Sequence, residues 1–387
     1  MIDQEYKGYK IDFVASEQHF YHHLVPIWRA LPQYLKGHFY VLNVLKTNLG
    51  RKERRMFKNT PDMVDVLSKR EENNFVLAAA YGEVSKLREK PIPMILMEHG
   101  VGQTYQSDHP SYSSGKGAKH NVFLFLSPNE FNTKGYQQTH PQIPNHIVGC
   151  PKLDEWSDLS PPNNTRPVVC VSFHWDCHVV PETRSTFQYY SSALSSLAEN
   201  RRYRFIGHGH PRIFSKIAPF YKKWGIEPVQ NFQEAVQRAN MYVCDSSSTI
   251  YEFAYLDRPV VVLNAPFYRR NVEHGMRFWE YSNVGFNCDS RDDLYSTIQH
   301  AFENDDEVKD RRREIVEILY PYRGQAGLRA ANVLEDFLVN FDLEPTELNQ
   351  KMKANIREFQ RTFDFNYARR TPRNQGVGGV GWFKRGR

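Results

Sequence analysis

The sequence predicts an α/β protein with two parallel-sheet domains that face a cleft. Short apolar runs alternate with helix-like stretches, and strands that alternate with helices imply βαβ units and a parallel sheet. The alternation breaks at the polar, proline-containing residues 157–167 and then restarts. A length of 387 residues and an apolar content of 40% are sufficient for two domains, each with its own core.

The first half of the chain contains six strand-like runs separated by helical or polar stretches. Residues 19–31 predict a helix that ends at Pro32. Residues 59–62 predict the capped start of a second helix over residues 63–69. The predicted strands span residues 10–15, 39–44, 75–80, 94–97, 122–126 and 146–149.

The second half repeats the alternation and ends in extra helices. Strands are predicted over residues 168–172, 204–207, 241–244 and 260–263. Helices are predicted over residues 186–200, 213–224, 249–256, 291–303, 308–319, 328–341 and 343–363. The chain therefore divides into a first domain (1–156), a linker (157–167), a second domain (168–325), closing helices (326–365) and a tail (366–387).

The composition excludes several classes of protein. The longest apolar runs fall far short of the ~20 residues that a membrane span needs, and no secretion signal is visible at the N-terminus. Five cysteines without CxxC spacing argue against a disulfide framework and favour buried thiols in a reducing compartment. We therefore expect a cytoplasmic protein, with or without peripheral contact to a membrane.

The basic excess of the chain lies in its C-terminal tail. Residues 366–387 carry six basic side chains and no acidic one, while the rest of the chain has 44 of each sign. A Gly-rich basic tail suits polyanions, so a nucleic acid and an anionic membrane or polymer surface are both candidate partners. A disordered, solubilising end is the simpler alternative.

The residues that follow each strand form the candidate site, because ligands of open α/β sheets bind at the carboxyl ends of strands. His99 follows the strand 94–97 and enters a turn that contains Gly100 and Gly102. These glycines allow the backbone to approach a substrate closely, and the imidazole is placed for proton transfer. A histidine that is hydrogen-bonded within the turn explains the same residues without catalysis.

Two histidines and an arginine follow the strand 204–207. His208 and His210 lack a third ligand at recognisable spacing, so no metal site is predicted. Together with Arg212 they form a candidate phosphate-binding group, because imidazole and guanidinium donors meet at one strand end.

The strongest candidate is a polar turn between a predicted strand and a predicted helix, formed by Asp245, Ser246, Ser247 and Ser248. Consecutive hydroxyls at a helix N-terminus, with backbone N–H groups and the positive end of the dipole, form a cradle suited to a diphosphate. Glu252 lies one turn further and is placed to accept from ribose or sugar hydroxyls. An ordinary N-cap with Glu252 as its capping-box partner is the alternative.

A further polar segment follows the strand 168–172. His174, Trp175 and Asp176 crowd the predicted cleft, and their order matches no nucleophile triad. Together with Gly100 and Gly102, they are expected to form the wall that contacts the acceptor or the nucleobase.

The order and spacing of these motifs resemble the GT-B glycosyltransferase superfamily, and most closely its CDP-glycerol glycerophosphotransferase-like proteins of wall-polymer and capsule synthesis. That branch has an HG motif in the first domain, an HP motif in the second, and S-D-x-S-S followed by an acidic residue. The corresponding residues here are His99-Gly100, His210-Pro211 and residues 245–248 with Glu252. The resemblance spans nearly all of residues 10–320 and implies two Rossmann-like domains facing a cleft, with C-terminal helices that cross back to the first domain.

The same resemblance implies direct displacement at a nucleotide-diphosphate donor. Ser247 and Ser248 would hold the diphosphate, His210 with Arg212 would neutralise the leaving group, and His99 would take the proton of an acceptor hydroxyl. The donor base (UDP, CDP or GDP) stays open, as does the choice between a glycosyl and a glycerol-phosphate group. The acceptor is expected to be a glycan or an anionic polymer. No cofactor and no metal are expected, since GT-B enzymes usually need no metal and an Asp-x-Asp signature is absent.

Three other functions are compatible with the same motifs. A DNA glycosyltransferase acting on hydroxymethylated bases would use the basic tail as a nucleic-acid arm. A non-hydrolysing nucleotide-sugar 2-epimerase has a similar Asp-Ser-rich turn before an acidic helix and would need no acceptor. A lectin-like polymer binder would keep the fold without turnover.

Overall fold

The computed structural model of the protein describes residues 8–42, 58–60, 74–99, 119–176, 184–197, 199–270 and 277–362. These residues form two α/β domains, each built on a wholly parallel sheet. A 3₁₀ helix, Pro151–Trp156, and an irregular stretch join the last strand of the first sheet to the first strand of the second. The α/β class and the two-domain architecture predicted from the sequence are therefore confirmed.

The first domain contains seven described strands and three helices. The strands are β1 (Ile11–Ala15), β2 (Lys36–Leu42), β3 (Lys58–Thr60), β4 (Phe75–Ala78), β5 (Met94–Met97), β6 (Val122–Ser127) and β7 (Asn145–Ile147). The helices are α1 (Gln18–Ala30), α2 (Tyr81–Lys86) and α3 (Glu130–Thr139). The strand order is β3-β2-β1-β4-β5-β6-β7. Every residue of β1, β4 and β5 is buried, as expected for strands covered on both faces.

The second domain contains six strands in the order β10-β9-β8-β11-β12-β13. These are β8 (Val168–Ser172), β9 (Arg204–Gly207), β10 (Glu227–Pro228), β11 (Met241–Cys244), β12 (Val260–Leu263) and β13 (Phe286–Cys288). Its helices are α4 (Phe187–Leu197), α5 (Pro211–Lys223), α6 (Phe232–Arg238), α7 (Thr249–Ala254), α8 (Leu294–Glu303) and α9 (Asp306–Leu319).

The last two helices, α10 (Ala326–Val339) and α11 (Pro345–Thr362), return to the first domain. Ala330, Leu334 and Leu348 are buried in the same core cluster as the strands of the first sheet. A methyl group added at Gly327 would lie 2.9 Å from the Cβ of Pro26 in α1, so only glycine permits this close helix approach. The crossing of the C-terminal helices, implied by the resemblance, is confirmed.

Several short elements depart from the sequence prediction. Residues 58–60 form the edge strand β3, which pairs with β2, where a helix cap was expected. The predicted helix 63–69 lies outside the described residues. Helix α3 was not predicted because two of its buried positions, Asn132 and Thr133, are polar and hide the apolar periodicity. The elements α2, α6, β10 and β13 were also missed, and each is at most seven residues long.

The described part of the chain contains four of the five cysteines. Cys150, Cys170, Cys244 and Cys288 are buried free thiols, as the sequence predicts. In the part of the chain that the structure describes, no helix has both the length and the apolar character that crossing a membrane requires.

Candidate active site between the two domains

A cavity of about 550 Å³ lies between the two domains at the carboxyl ends of their sheets. The first domain contributes α1 and the residues that follow β5. The second domain contributes the residues that follow β8, β9 and β10, and the start of α7. This is where a pair of open α/β sheets is expected to bind a ligand.

Most of the predicted site residues line this one cavity. They are His99 from the first domain and, from the second, His174, Trp175, His208, His210, Arg212, Ser247, Ser248 and Glu252. Asp176, Asp245 and Ser246 are not among the lining residues. Gly100 and Gly102 lie outside the described residues.

His99 is anchored by the backbone of its own sheet. Its Nδ1 lies 2.6 Å from the carbonyl oxygen of Ala79, which follows β4. A carbonyl can only accept, so this contact assigns the proton to Nδ1 and the lone pair to Nε2. Burial, with a smaller contribution from the nearby positive charge of Lys152, lowers the pKa of His99 to about 4. The ring is therefore neutral at physiological pH and has the form that a general base requires.

Glu83 sets the position of the carbonyl that holds His99. Its carboxylate accepts hydrogen bonds from the backbone N–H of Ala79, at 3.2 Å, and of Ser16, at 2.9 Å. These bonds tie together the turns after β1 and β4, and burial raises the pKa of Glu83 to about 7. The sequence analysis did not identify Glu83, since its neighbours come from two separate loops.

The Nδ1 atom of His210 accepts a hydrogen bond, whereas that of His99 donates one. His210 is the N-cap of α5, and its Nδ1 accepts from the backbone N–H of Arg212 at 3.2 Å. An accepting Nδ1 assigns the proton to Nε2. Burial, followed by the charges of His174 and Arg212, lowers the pKa of His210 to about 2. His210 is therefore a neutral ring whose Nε2–H is a hydrogen-bond donor.

Ser247 is likewise arranged as a donor. Its Oγ accepts from the backbone N–H of Thr249 at 3.4 Å and from the Thr249 hydroxyl at 2.9 Å. Because Thr249 donates to Ser247, the hydroxyl of Tyr242, 2.9 Å from Thr249 Oγ1, donates to Thr249. In this series Tyr242 donates to Thr249 and Thr249 donates to Ser247. The hydroxyl of Ser247 can therefore donate its own proton to a ligand in the cavity.

The cradle differs in two ways from the one predicted. Helix α7 has only six residues, so its dipole is smaller than the predicted helix 249–256 implied. The turn also uses backbone N–H groups internally, since Ser247 N donates to Asp245 O at 2.6 Å and Ile250 N to Ser247 O at 3.1 Å. The hydroxyl groups are therefore the main donors that this turn offers.

Asp245 lies behind the residues that line the cavity. The side chain is fully buried, and its two oxygens accept from the backbone N–H of His174 at 2.6 Å and of Thr186 at 2.9 Å. Burial raises the pKa of Asp245 to about 6, although these hydrogen bonds lower it in part. The predicted contact of Asp245 and of the equally buried Ser246 with the donor stays a prediction. The observed role of Asp245 is to position the backbone of the wall residue His174.

His208 is buried and lines the cavity. Its Nδ1 lies 2.8 Å from the hydroxyl of Ser172 at the end of β8, and burial lowers its pKa to about 3. The described residues contain no group of three or more histidine, cysteine or acidic side chains that could hold a metal ion.

The matched family supports the resemblance carried by these motifs. A family model described as CDP-Glycerol:Poly(glycerophosphate) glycerophosphotransferase matches residues 176–335, which include His210 and the turn before α7. The minor teichoic acid biosynthesis protein GgaB of Bacillus subtilis (strain 168) is 22% identical over 134 residues. The matched region covers less than half of this chain, and it is similar to the CDP-glycerol glycerophosphotransferase family. The aligned part is 33% of this chain and 15% of GgaB, so this chain spans only a small part of that relative's length.

Solved structures confirm the GT-B architecture over most of the chain. S. aureus MnaA with UDP has a TM-score of 0.61 and 14% identity, covering 87% of this chain and 99% of that one. The wall teichoic acid polymerase TagF has a TM-score of 0.59 and 10% identity, covering 86% of this chain and 90% of that one. At these identities the likeness shows the fold alone.

The GT-B cleft also contains residues that the sequence analysis missed. Helix α1 places His19, His22 and His23 on one face toward the cavity. Their spacing of three and four residues was a usable signal, because such positions share one side of a helix. Phe232 enters the cavity from the start of the unpredicted helix α6.

Lys152 is a further residue that was not identified from the sequence, and it belongs to the 3₁₀ helix between the domains. Its Nζ lies 2.5 Å from Glu252 Oε2. Glu252 was assigned to ligand hydroxyls from the sequence, and the structure adds that its carboxylate also holds this cation. No local pattern links two residues that are 100 positions apart.

Proposed function

We propose that this protein transfers a glycosyl or glycerol-phosphate group from a nucleotide-diphosphate donor to a hydroxyl group of a glycan or an anionic polymer. The observation that supports this most directly is the opposite arrangement of His99 and His210 in one cavity. One ring offers a lone pair from the first domain, and the other offers a proton from the second. The family match over the second domain supports a nucleotide donor.

In the proposed reaction, the second domain binds the donor. The hydroxyl of Ser247 and the Nε2–H of His210 donate to the diphosphate, and Arg212 adds positive charge at the exposed edge. Arg212 also lies 4.7 Å from the ring centre of Trp175, which keeps the guanidinium near the cavity. These groups stabilise negative charge that grows on the leaving group.

The first domain binds the acceptor and removes its proton. His99 Nε2 takes the proton of the acceptor hydroxyl while the oxygen attacks the anomeric carbon or the distal phosphorus of the donor. The bond between that atom and the leaving group breaks, and a nucleotide leaves with the electron pair. With an anomeric carbon the leaving group is a nucleoside diphosphate, and with a phosphorus it is a nucleoside monophosphate.

Thermal stabilisation by a panel of nucleotides tests the donor site. We expect one of CDP, UDP, GDP, ADP or TDP to raise the melting temperature, because a ligand at ~100 times its Kd adds about 2.7 kcal/mol. Ser247→Ala is expected to weaken that nucleotide about tenfold, as loss of a donor to a charged group does. CDP would favour transfer of glycerol phosphate, and UDP or GDP would favour a sugar.

Ser195→Ala is the matched control, because the Ser195 hydroxyl donates to Ser192 O within helix α4 on the exposed surface. Equal binding by Ser247→Ala and Ser195→Ala would remove Ser247 from the donor site. A protein that no nucleotide stabilises would contradict the transferase proposal. With the nucleotide sugar as sole substrate, sugar rearrangement would identify an epimerase instead.

A further inference from the structure

Lys152 holds a buried charge at the junction of the two domains. Only 10% of its side chain is exposed, and its partner Glu252 is 7% exposed. The ammonium also lies 5.3 Å from the ring centre of Phe232 and 5.7 Å from that of Trp156. The free energy lost when two charges leave water is about as large as the free energy gained from their attraction. A buried ion pair therefore adds little to the stability of the fold, which points to another role.

The cavity contains other cations, but these lie at its rim. In the described residues, the lining cations are Arg29, Lys152 and Arg212. Arg29 pairs with Glu155 and is 55% exposed, and Arg212 pairs with Glu17 and is 54% exposed. Both are screened by water, whereas Lys152 acts from inside the cavity. Among the cations that line the cavity in the described part of the chain, Lys152 is thus the least exposed.

Lys152 lies on the same wall as the hydroxyl turn. Glu252, which holds its ammonium, follows Ser248 by one turn of α7, and its backbone N–H donates to Ser248 O at 3.2 Å. One turn corresponds to a rise of about 6 Å along a helix. A diphosphate that accepts from Ser247 and Ser248 is therefore within one turn of the Lys152–Glu252 pair.

The histidines around Lys152 are neutral, so Lys152 is the charged group among them. Those of α1 (His19, His22 and His23), His99 after β5 and His208 after β9 all have lowered pKa values. Burial is the largest cause in each case, and the charge of Lys152 contributes to all five. Neutral rings donate or accept hydrogen bonds but do not compensate the charge of a diphosphate. The acids that face the same cavity are Glu17, Glu98, Glu155 and Glu252.

We propose that Lys152 is the cation that binds the diphosphate of the donor, and that Glu252 holds the ammonium in place until the donor arrives. This assignment rests on the proposed function, because it requires a nucleotide-diphosphate ligand in this cavity. On binding, the ammonium exchanges part of its contact with the carboxylate for a phosphate oxygen. The second oxygen of Glu252 keeps the role of a hydroxyl acceptor.

Inorganic pyrophosphate tests this assignment, since it has the diphosphate charge without base or ribose. Calorimetric titration of Lys152→Met is expected to show a Kd raised about 10- to 100-fold, as for a lost charge-assisted bond. Lys152→Arg should stay within about fivefold, because the positive charge is kept. Glu252→Gln should bind pyrophosphate at least as tightly as the wild type, because the ligand no longer competes with a carboxylate. Lys134→Met is the matched control, since Lys134 forms an exposed pair with Glu130 away from the cavity.

The Glu252→Gln variant separates a binding role from a structural one. If the Lys152–Glu252 pair only stabilises the fold, Glu252→Gln and Lys152→Met should weaken pyrophosphate binding equally. This result would overturn the proposal. It is also overturned if Lys152→Met binds as the wild type does, or if the wild type binds nucleotides but not pyrophosphate. If Lys152→Met fails to fold, Lys152→Arg and Glu252→Gln decide by the same criteria. A wild type that binds neither pyrophosphate nor any nucleotide would instead contradict the proposed function itself.

Discussion

The two walls of the cleft carry different chemistry. The first domain presents imidazoles, with the lone pair of His99 directed away from the carbonyl that holds its other nitrogen. The second domain presents donors, in the Ser247 hydroxyl and the Nε2–H of His210. A proton acceptor on one domain and proton donors on the other suit a reaction in which one substrate is deprotonated and another leaves as an anion. Under the proposed function, each domain therefore has one chemical task.

The hydrogen bonds that anchor His99 and His210 each lie within one domain. His99 is held by Ala79 of its own sheet, and His210 caps its own helix. The cross-cleft contacts include Arg212 with Glu17 at 3.4 Å. The tautomer of each of these two rings is therefore set by a contact within its own domain.

The largest expected effect comes from removing the proton acceptor. His99→Gln should lower the turnover rate by about 10²- to 10⁴-fold, the usual contribution of general base catalysis. Nucleotide affinity should stay within about twofold, because the donor is bound by the other domain. Rates and Kd values measured on the same preparation check this, with His146→Gln on the exposed strand β7 as control. Parallel losses of rate and affinity would show that the walls do not act separately.

The same residue predicts the pH dependence of the reaction. A general base works only when deprotonated, and burial places the pKa of His99 near 4, below the usual value of about 6.5. Protonation of His99 should therefore lower the rate only as the pH approaches 4, below the range near pH 7 and pH 6 in which Glu83 and Asp245 are protonated. A complete loss of rate centred near pH 6.5 would show that His99 has an ordinary pKa or that another group is the base.

A smaller effect, on stability, is expected from removing a hydrogen bond to Asp245 behind the second wall. The Thr186 hydroxyl donates to the buried carboxylate of Asp245 at 3.2 Å. Thr186→Val keeps the shape and removes this bond, so the free energy of unfolding should fall by about 1.5–3 kcal/mol. Urea denaturation measures the loss, and Thr139→Val is the control, since that hydroxyl bonds a carbonyl within its own helix. If both variants lose the same free energy of unfolding, the bond between Thr186 and Asp245 does not support the second wall.

The subtlest test concerns the two imidazoles themselves and involves no change in stability. Long-range ¹H–¹⁵N correlation spectra should show His99 with its proton on Nδ1 and His210 with its proton on Nε2 at pH 7. Both assignments follow from single backbone contacts, one to a carbonyl and one to an N–H. Finding the same tautomer in both rings would erase the contrast between the walls.

The sequence predicted the long strands and helices well because their signals are local. Residues 94–97, 168–172, 204–207, 241–244 and 260–263 were predicted with the bounds that the structure has. Buried parallel strands are continuous apolar runs, and polar turns end them. The short elements failed for the complementary reason, since β3 and β13 have three residues each and too few positions to show a period.

The sequence by itself determined which residues stand at the strand ends, and hence that His99, His210 and Ser247 face one cleft. This followed because parallel strands bring their carboxyl ends to a common edge. Only the tertiary structure decided that Asp245 lies behind the wall, that Lys152 reaches Glu252, and that the two rings hold opposite tautomers. Burial, ion pairing and tautomers depend on neighbours that are distant in sequence, and those neighbours are set when the domains fold and pack.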